Sequence, residues 1–410
     1  MLATNRGKKV NACLIYTLLW CLYSLQGTLY NSGGIVSKLL LLILLLWSLY
    51  SCYLVNTQNR KQSLPYFIKA VNVFLIMATV YGGILMISGQ TLYITEGEYK
   101  AVAKFQYLKD IYMSLLPLYA FYYYAQRGKL NINQIFFLLL LFIGIAWSRY
   151  FRSNADNLAM AMAMGSTREE FTSNAGYSFL AIMPLLLFWD RKPLLQYLLL
   201  LVCIGGIILC MKRGAILIGA VCFVYFMYST IKSTKGATRF VVVLLSILAI
   251  IGTFWIIQEM LSTSDYFVSR IEKTVKGDSS NRDILYANLW EVFINEPNPL
   301  KIIFGRGANA TLTVGMNYAH NDWLELAINQ GFLGIGIYIY YFIALFRDAR
   351  RVRKINKVCS NVLLISWFIL FSKTLFSMSY ASVGIVQMLA IGLVLGLCSD
   401  KYLSTSKSLA

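Results

Sequence analysis

Apolar runs of about twenty residues recur along most of the chain, and they constrain its fold more than any other feature. In lipid every backbone N–H and C=O must find its partner within the protein, so runs of this length fold as membrane-crossing helices. Twelve fall near 10–30, 36–55, 66–94, 105–125, 131–150, 176–189, 194–211, 214–231, 240–258, 331–346, 358–376 and 381–398. The fourth carries Lys109 and Asp110, and the sixth and tenth are short. With 58% hydrophobic and 13% charged residues, the composition is not that of a soluble domain. The expectation is an all-α polytopic membrane protein of about twelve transmembrane helices, one integral domain over 1–410.

Charge supplies the orientation. The formal net charge is +19, but the Lys and Arg residues sit in short groups between apolar runs, not on one face as a nucleic-acid binder would hold them. If the N-terminus is cytoplasmic, the inside loops hold Arg60-Lys61, Arg127 with Lys129, Arg191-Lys192, Lys232 to Arg239, and Arg347 to Lys357. Every short loop on that side is then basic, and twelve crossings return the C-terminus to the cytoplasm. Outside lie 31–35, Thr95 to Lys104, a smaller loop at 151–175, the turn Met211-Lys212-Arg213, a large, partly helical loop at 259–330, and 377–380. Arg6-Gly7-Lys8-Lys9 precedes an apolar stretch of spanning length with no clear cleavage motif, which reads as an uncleaved first helix. The eight cysteines lie nearly all inside apolar runs without a C-x-x-C pair, as small hydrophobes would.

Polar chemistry concentrates on the outer side. Lys212 and Arg213 stand where the positive-inside rule expects few cations. Lys212 reads equally well as a side chain snorkelling to lipid headgroups, whereas the planar fork of Arg213 suits a diphosphate. Arg282 precedes an amphipathic helix in which Ile284, Leu285, Leu289, Val292 and Phe293 can share a face and Asp278, Ser279 or Ser280 can cap. That N-terminus would favour an anion, although Arg282 taken alone reads better as a surface residue paired with Asp283 or Glu291. Phe304-Gly305-Arg306-Gly307 alone marks a turn. His320 is the chain's one histidine, with Asn321, Asp322 and Glu325 beside it. A helix starting near Asn317 would place His320, Trp323, Leu324 and Ala327 on one face and Asn321 and Glu325 one turn apart. Imidazole suits proton transfer near neutral pH. With no second His and no Cys in the outside loops, a metal site would have to be built from Asp, Glu and one His. Cationic groups and one base at the outer surface fit a lipid-linked diphosphate and a hydroxyl acceptor.

His320-Asn321, nine residues, then Gly331-Phe332-Leu333-Gly334 resembles the signature of the bacterial O-antigen ligase and O-antigen polymerase superfamily. The basic turn Lys212-Arg213-Gly214-Ala215, the run from Asn281-Arg282 through Trp290, Pro297 and Phe304-Gly305-Arg306-Gly307, and the large late loop are also similar to it. The resemblance covers roughly Met211 to Phe346. It implies a metal-independent, inverting glycan transfer from undecaprenyl diphosphate at the periplasmic face of the bacterial inner membrane, without a cofactor. Arg213 and Arg282 would bind the diphosphate, with Lys212 and Arg306 as further candidates. His320 would activate the acceptor, and Asn321, Asp322 and Glu325 would support it. Lys212 stands where the family usually has a small hydroxyl residue, which puts its role in doubt. The implied partners are the lipid-linked glycan donor, a glycan or lipid A core acceptor and membrane lipid, with room for a chain-length regulator. Ala319 to Glu325 looks more like the polymerase version; ligase is the alternative. A lipid-linked oligosaccharide flippase is a third reading, but it would bury charges near mid-membrane and keep its loops short.

Overall fold

The computed structural model describes residues 11–58, 64–96, 98–128, 132–163, 173–263, 282–315, 317–380 and 384–407. The elements are α1 (Ala12–Ser24), α2 (Ile35–Gln58), α3 (Tyr66–Ile87), β1 (Leu92–Glu96), β2 (Glu98–Val102), α4 (Phe105–Leu115), α5 (Pro117–Gln126) and α6 (Ile132–Ala163). There follow α7 (Ala175–Leu186), a 3₁₀ turn (Leu187–Trp189), α8 (Pro193–Leu209), α9 (Arg213–Ser233) and α10 (Gly236–Thr263). The last are α11 (Arg282–Ile294), α12 (Pro299–Phe304), α13 (Ala310–Val314), α14 (Asp322–Arg353), α15 (Lys357–Phe376) and α16 (Ile385–Lys407). Among the described residues seven helices are long and apolar enough to cross a membrane, and four shorter apolar helices accompany them.

Four expectations are corrected. The third apolar run ends its helix at Ile87, and Leu92–Glu96 and Glu98–Val102 pair as antiparallel strands with Leu92 opposite Val102 and Ile94 opposite Lys100. The aromatic and β-branched residues after Gly89 favour strand over helix there. The fourth run is divided at Pro117, which has no N–H to give, although Leu116 keeps helical dihedrals (φ −62°, ψ −30°). The smaller loop at 151–175 is helical as far as Ala163, its polar turn tied by an Arg152–Asp156 pair at 3.5 Å and by Arg152 Nη1 donating to Gln26 O at 2.8 Å. The tenth run is the second half of α14, which begins nine residues earlier than the expected 331.

The chain forms two compact units, Met1–Leu41 with Asn131–Ser279 and Leu42–Leu130 with Ser280–Ala410. In the first, α7, α8 and α9 pack through small residues: a Cβ on Gly206 would lie 2.5 Å from the Phe179 ring, and one on Gly219 would lie 3.2 Å from Ile207. Tyr197 and Ser246 join α8 to α10 through a buried hydroxyl pair at 2.5 Å. In the second, Gly392 and Gly396 lie one turn apart on α16 and let the α5 backbone approach, since a Cβ on either would stand 2.8 Å from Leu118 O or 2.5 Å from Tyr122 O. At the opposite end of α14 from His320, Asp348 receives the Tyr66 and Phe67 amides (3.2 and 2.8 Å) and caps α3, a contact worth about 1 kcal/mol.

Candidate functional site

The region around His320 is built from short helices that lean on a break in α14. Asn298 caps α12 by accepting from the Leu300 amide at 3.0 Å, with Pro299 in the first turn. Gly305 ends that helix at φ 75°, and a Cβ there would lie 2.3 Å from Asn329 O. Gly331 breaks α14 at φ 62° and ψ −155°, and a Cβ there would lie 2.4 Å from Ile302 O. The break takes Ile328 O and Asn329 O out of the helical ladder, and the Arg306 and Gly307 amides supply them with donors, each at 2.9 Å. The two glycine motifs are thus the two sides of one backbone-to-backbone contact. On the other side of this contact, Leu289 and Phe293 of α11 bury themselves against Ala310, Ala319, Ala327 and Ile328, with Leu285 and Val292 packed alongside. Ile284, expected on the same face, is 59% exposed. Asn281 and the cap candidates Asp278, Ser279 and Ser280 lie outside the described residues.

His320 does not belong to a helix. Asn321 caps α14, its Oδ1 accepting from the Trp323 and Leu324 amides at 2.9 and 3.2 Å, so the helix begins at Asp322 rather than near Asn317. His320 stands before the cap at φ 52°, a left-handed conformation uncommon for a residue with a side chain. Asn321 and Glu325 are one turn apart as expected, with Glu325 N donating to Asn321 O at 3.0 Å.

Two buried carboxylates fix this backbone. Glu325 accepts from the Ala319 amide at 2.7 Å, the Thr311 hydroxyl at 2.5 Å and Asn329 Nδ2 at 3.0 Å, while Asn329 Oδ1 receives the Thr311 amide at 3.1 Å. Asp322 accepts from the Ser379 amide at 2.7 Å, the Tyr338 hydroxyl at 2.5 Å and the Tyr380 amide at 3.2 Å. Both side chains are committed to protein donors, and they hold the residues on either side of His320 and Asn321. Burial raises the Tyr380 phenol well above its ordinary value, and the Glu325 and Asp322 carboxylates add to the rise, so it stays protonated.

The cations have partners of their own. Arg282 Nη1 donates to Phe376 O at the C-terminal end of α15 at 3.0 Å, and Tyr286, one turn on, reaches His320 O with its hydroxyl at 3.5 Å. Burial raises the Tyr286 phenol, while the neighbouring Arg282 guanidinium pulls it down. Arg306 pairs with Glu296 at 2.5 Å, which ties the glycine turn to the end of α11. Among the described residues of this unit, His320, Asn321, Asp322 and Glu325 therefore come together, and Arg282 and Tyr286 stand on the same framework.

Lys212 and Arg213 belong to the other unit. They follow Met211, itself left-handed at φ 49°, and Arg213 opens α9 while Lys212 is extended before it. The turn is backed by the start of α7: the Ser173 amide donates to Cys210 O at 2.9 Å, and a Cβ on Gly176 would lie 3.1 Å from that of Ala215. Both cations are partly buried at a helix N-terminus, where amides and dipole favour an anion.

Sequence reasoning missed Glu296, Thr311, Asn329 and Lys373, and it named the turn 377–380 only as an outside loop. Lys373, a charge inside an apolar run, was the one visible signal among them.

A family model described as O-antigen ligase matches residues 198–339. No curated protein matches the chain. The matched segment runs from α8 into α14 and contains Lys212, Arg213, Arg282, Arg306, His320, Asn321, Asp322, Glu325 and the Gly331 break. Over residues 198–339 the chain is thus similar to the O-antigen ligase family.

Proposed function

We propose that the protein is an O-antigen polymerase of the bacterial inner membrane. It transfers glycan from undecaprenyl diphosphate to the sugar end of another lipid-linked repeat, with inversion and without a metal. The reading is supported above all by His320, the chain's one histidine, held in a left-handed backbone by buried partners within the family-matched segment. The acceptor hydroxyl attacks the anomeric carbon, the bond from that carbon to the diphosphate oxygen breaks, and the hydroxyl proton passes to His320. Arg282 offsets the charge that develops on the leaving diphosphate. Lys212 and Arg213 take the same class of ligand on their own turn, and Arg306, engaged by Glu296, contributes at most through the turn it holds. The basic short loops put both termini in the cytoplasm and the His320 loop in the periplasm. The description of the matching family favours a second reading, a ligase that delivers the glycan to lipid A core.

Purified protein in liposomes with a lipid-linked repeat unit tests the first reading. A ladder of longer lipid-linked glycans with release of undecaprenyl diphosphate is the expected result. Transfer that occurs only when lipid A core is added would replace polymerase with ligase.

A further inference from the structure

The C-terminal end of α15 receives three separate contacts from the surroundings of His320. Arg282 donates to Phe376 O at 3.0 Å, Trp323 Nε1 donates to Thr374 Oγ1 at 3.0 Å, and Asp322 receives the Ser379 and Tyr380 amides just beyond the helix. Lys373 lies in the same turn and is buried, its carbonyl accepting the Ser377 amide at 2.9 Å. A buried ammonium needs an opposite charge, and a buried carboxylate needs the same. Asp322, fully buried two residues from His320, lies across from this turn: its neighbour Trp323 donates to Thr374, the neighbour of Lys373. The three donors on Asp322 are all neutral, so they orient its carboxylate without cancelling its charge.

We propose that Lys373 is a positioning residue of the candidate site: its ammonium balances the Asp322 carboxylate, and the balanced pair locks the 377–380 turn to the start of α14, which sets the backbone of His320. This rests on the reading of His320 as the acceptor-activating base. The lysine acts through Asp322 and needs no contact with substrate.

The test compares Lys373→Met and Lys373→Arg with the wild-type protein by hydrogen exchange and by transfer kinetics. In Lys373→Met the Ser379 and Tyr380 amides, which Asp322 holds, should exchange about tenfold faster or more, while the rest of the protein is unchanged. Lys373→Arg should restore most of the protection. Where transfer is measured, kcat should fall on the order of tenfold or more in Lys373→Met with the donor KM within about twofold, because the donor-binding groups stay in place. Unaltered exchange at both amides in a folded Lys373→Met protein would overturn the proposal, whatever the transfer assay shows. Failure of the wild-type protein to transfer glycan would count against the functional reading and leave the exchange result standing. Should Lys373→Met fail to accumulate, Asp322→Asn combined with Lys373→Met removes both charges and should accumulate better; no improvement would contradict the pairing.

Discussion

The Lys212–Arg213 turn and the His320 loop place their polar groups in opposite ways. At the first, the backbone that carries the cations is shaped by a left-handed Met211, a helix that starts at Arg213, and close approach of α7 through Gly176. At the second, the positioning is done by buried side chains, with Glu325 and Asp322 each collecting three donors around one left-handed residue. A group mounted on a helix N-terminus can be removed with little damage behind it. A group mounted on a buried polar network depends on every member of that network, because a carboxylate that loses its donors is stranded in a low dielectric.

The difference is tested most severely at the glycines. Gly331→Ala and Gly305→Ala put a Cβ within 2.4 Å of backbone in a left-handed conformation, so each should cost on the order of 4 kcal/mol or more and leave little folded protein in a detergent melt. Gly176→Ala, with 3.1 Å to a neighbouring methyl, should be far milder. Equal melting of Gly331→Ala and Gly176→Ala would break the contrast.

The largest effect on activity belongs to His320. His320→Ala should lower transfer by a factor of about 10² to 10⁴. His320→Gly should lose transfer equally yet melt no lower than the wild type, since glycine removes the left-handed strain. Transfer by His320→Gly at the wild-type rate would remove the histidine from the chemistry.

Next come the carboxylate and the arginine. Glu325→Gln turns an NH₂ group towards existing donors and should lower stability by about 1–3 kcal/mol together with activity. Arg213→Ala should reduce activity at a smaller cost in stability than Glu325→Gln. Thermal melts beside initial rates separate the two, and an Arg213→Ala protein destabilised as much as Glu325→Gln would break the contrast. A smaller change is expected at Arg306, where Arg306→Ala and Glu296→Gln should each cost about 1 kcal/mol with parallel small losses of rate. A loss of rate from Arg306→Ala alone would restore that arginine as a ligand for substrate. Chelator should leave the rate unchanged, and recovery of a chelated sample by one added divalent ion would overturn the metal-independent reading.

The apolar runs were legible in the sequence because length and hydropathy are sufficient where backbone satisfaction is compulsory. The start of α14 was also on view, since an Asn before Asp322 and an apolar run is an N-cap signal; reading the helix from Asn317 placed His320 on a face that does not exist. Gly305 was visible as a turn and Gly331 as the start of an apolar run, but nothing in the sequence paired them, because a backbone-to-backbone contact leaves no side-chain pattern. The partners of Glu325 come from Thr311, Ala319 and Asn329, on three elements whose convergence only the fold supplies. Gly392 and Gly396 carried a helix-packing spacing within the last apolar run, where hydropathy alone had registered only a span.

Complementation in two matched bacterial hosts, one lacking its repeat-unit polymerase and one lacking its ligase, each given this chain with its own repeat-unit pathway, tests the central claim most directly. A ladder of long glycan in the first host alone, absent with His320→Ala at equal membrane abundance, is the expected result. Rescue of neither host by protein that is present in the membrane would contradict glycan transfer and bring the transport reading forward.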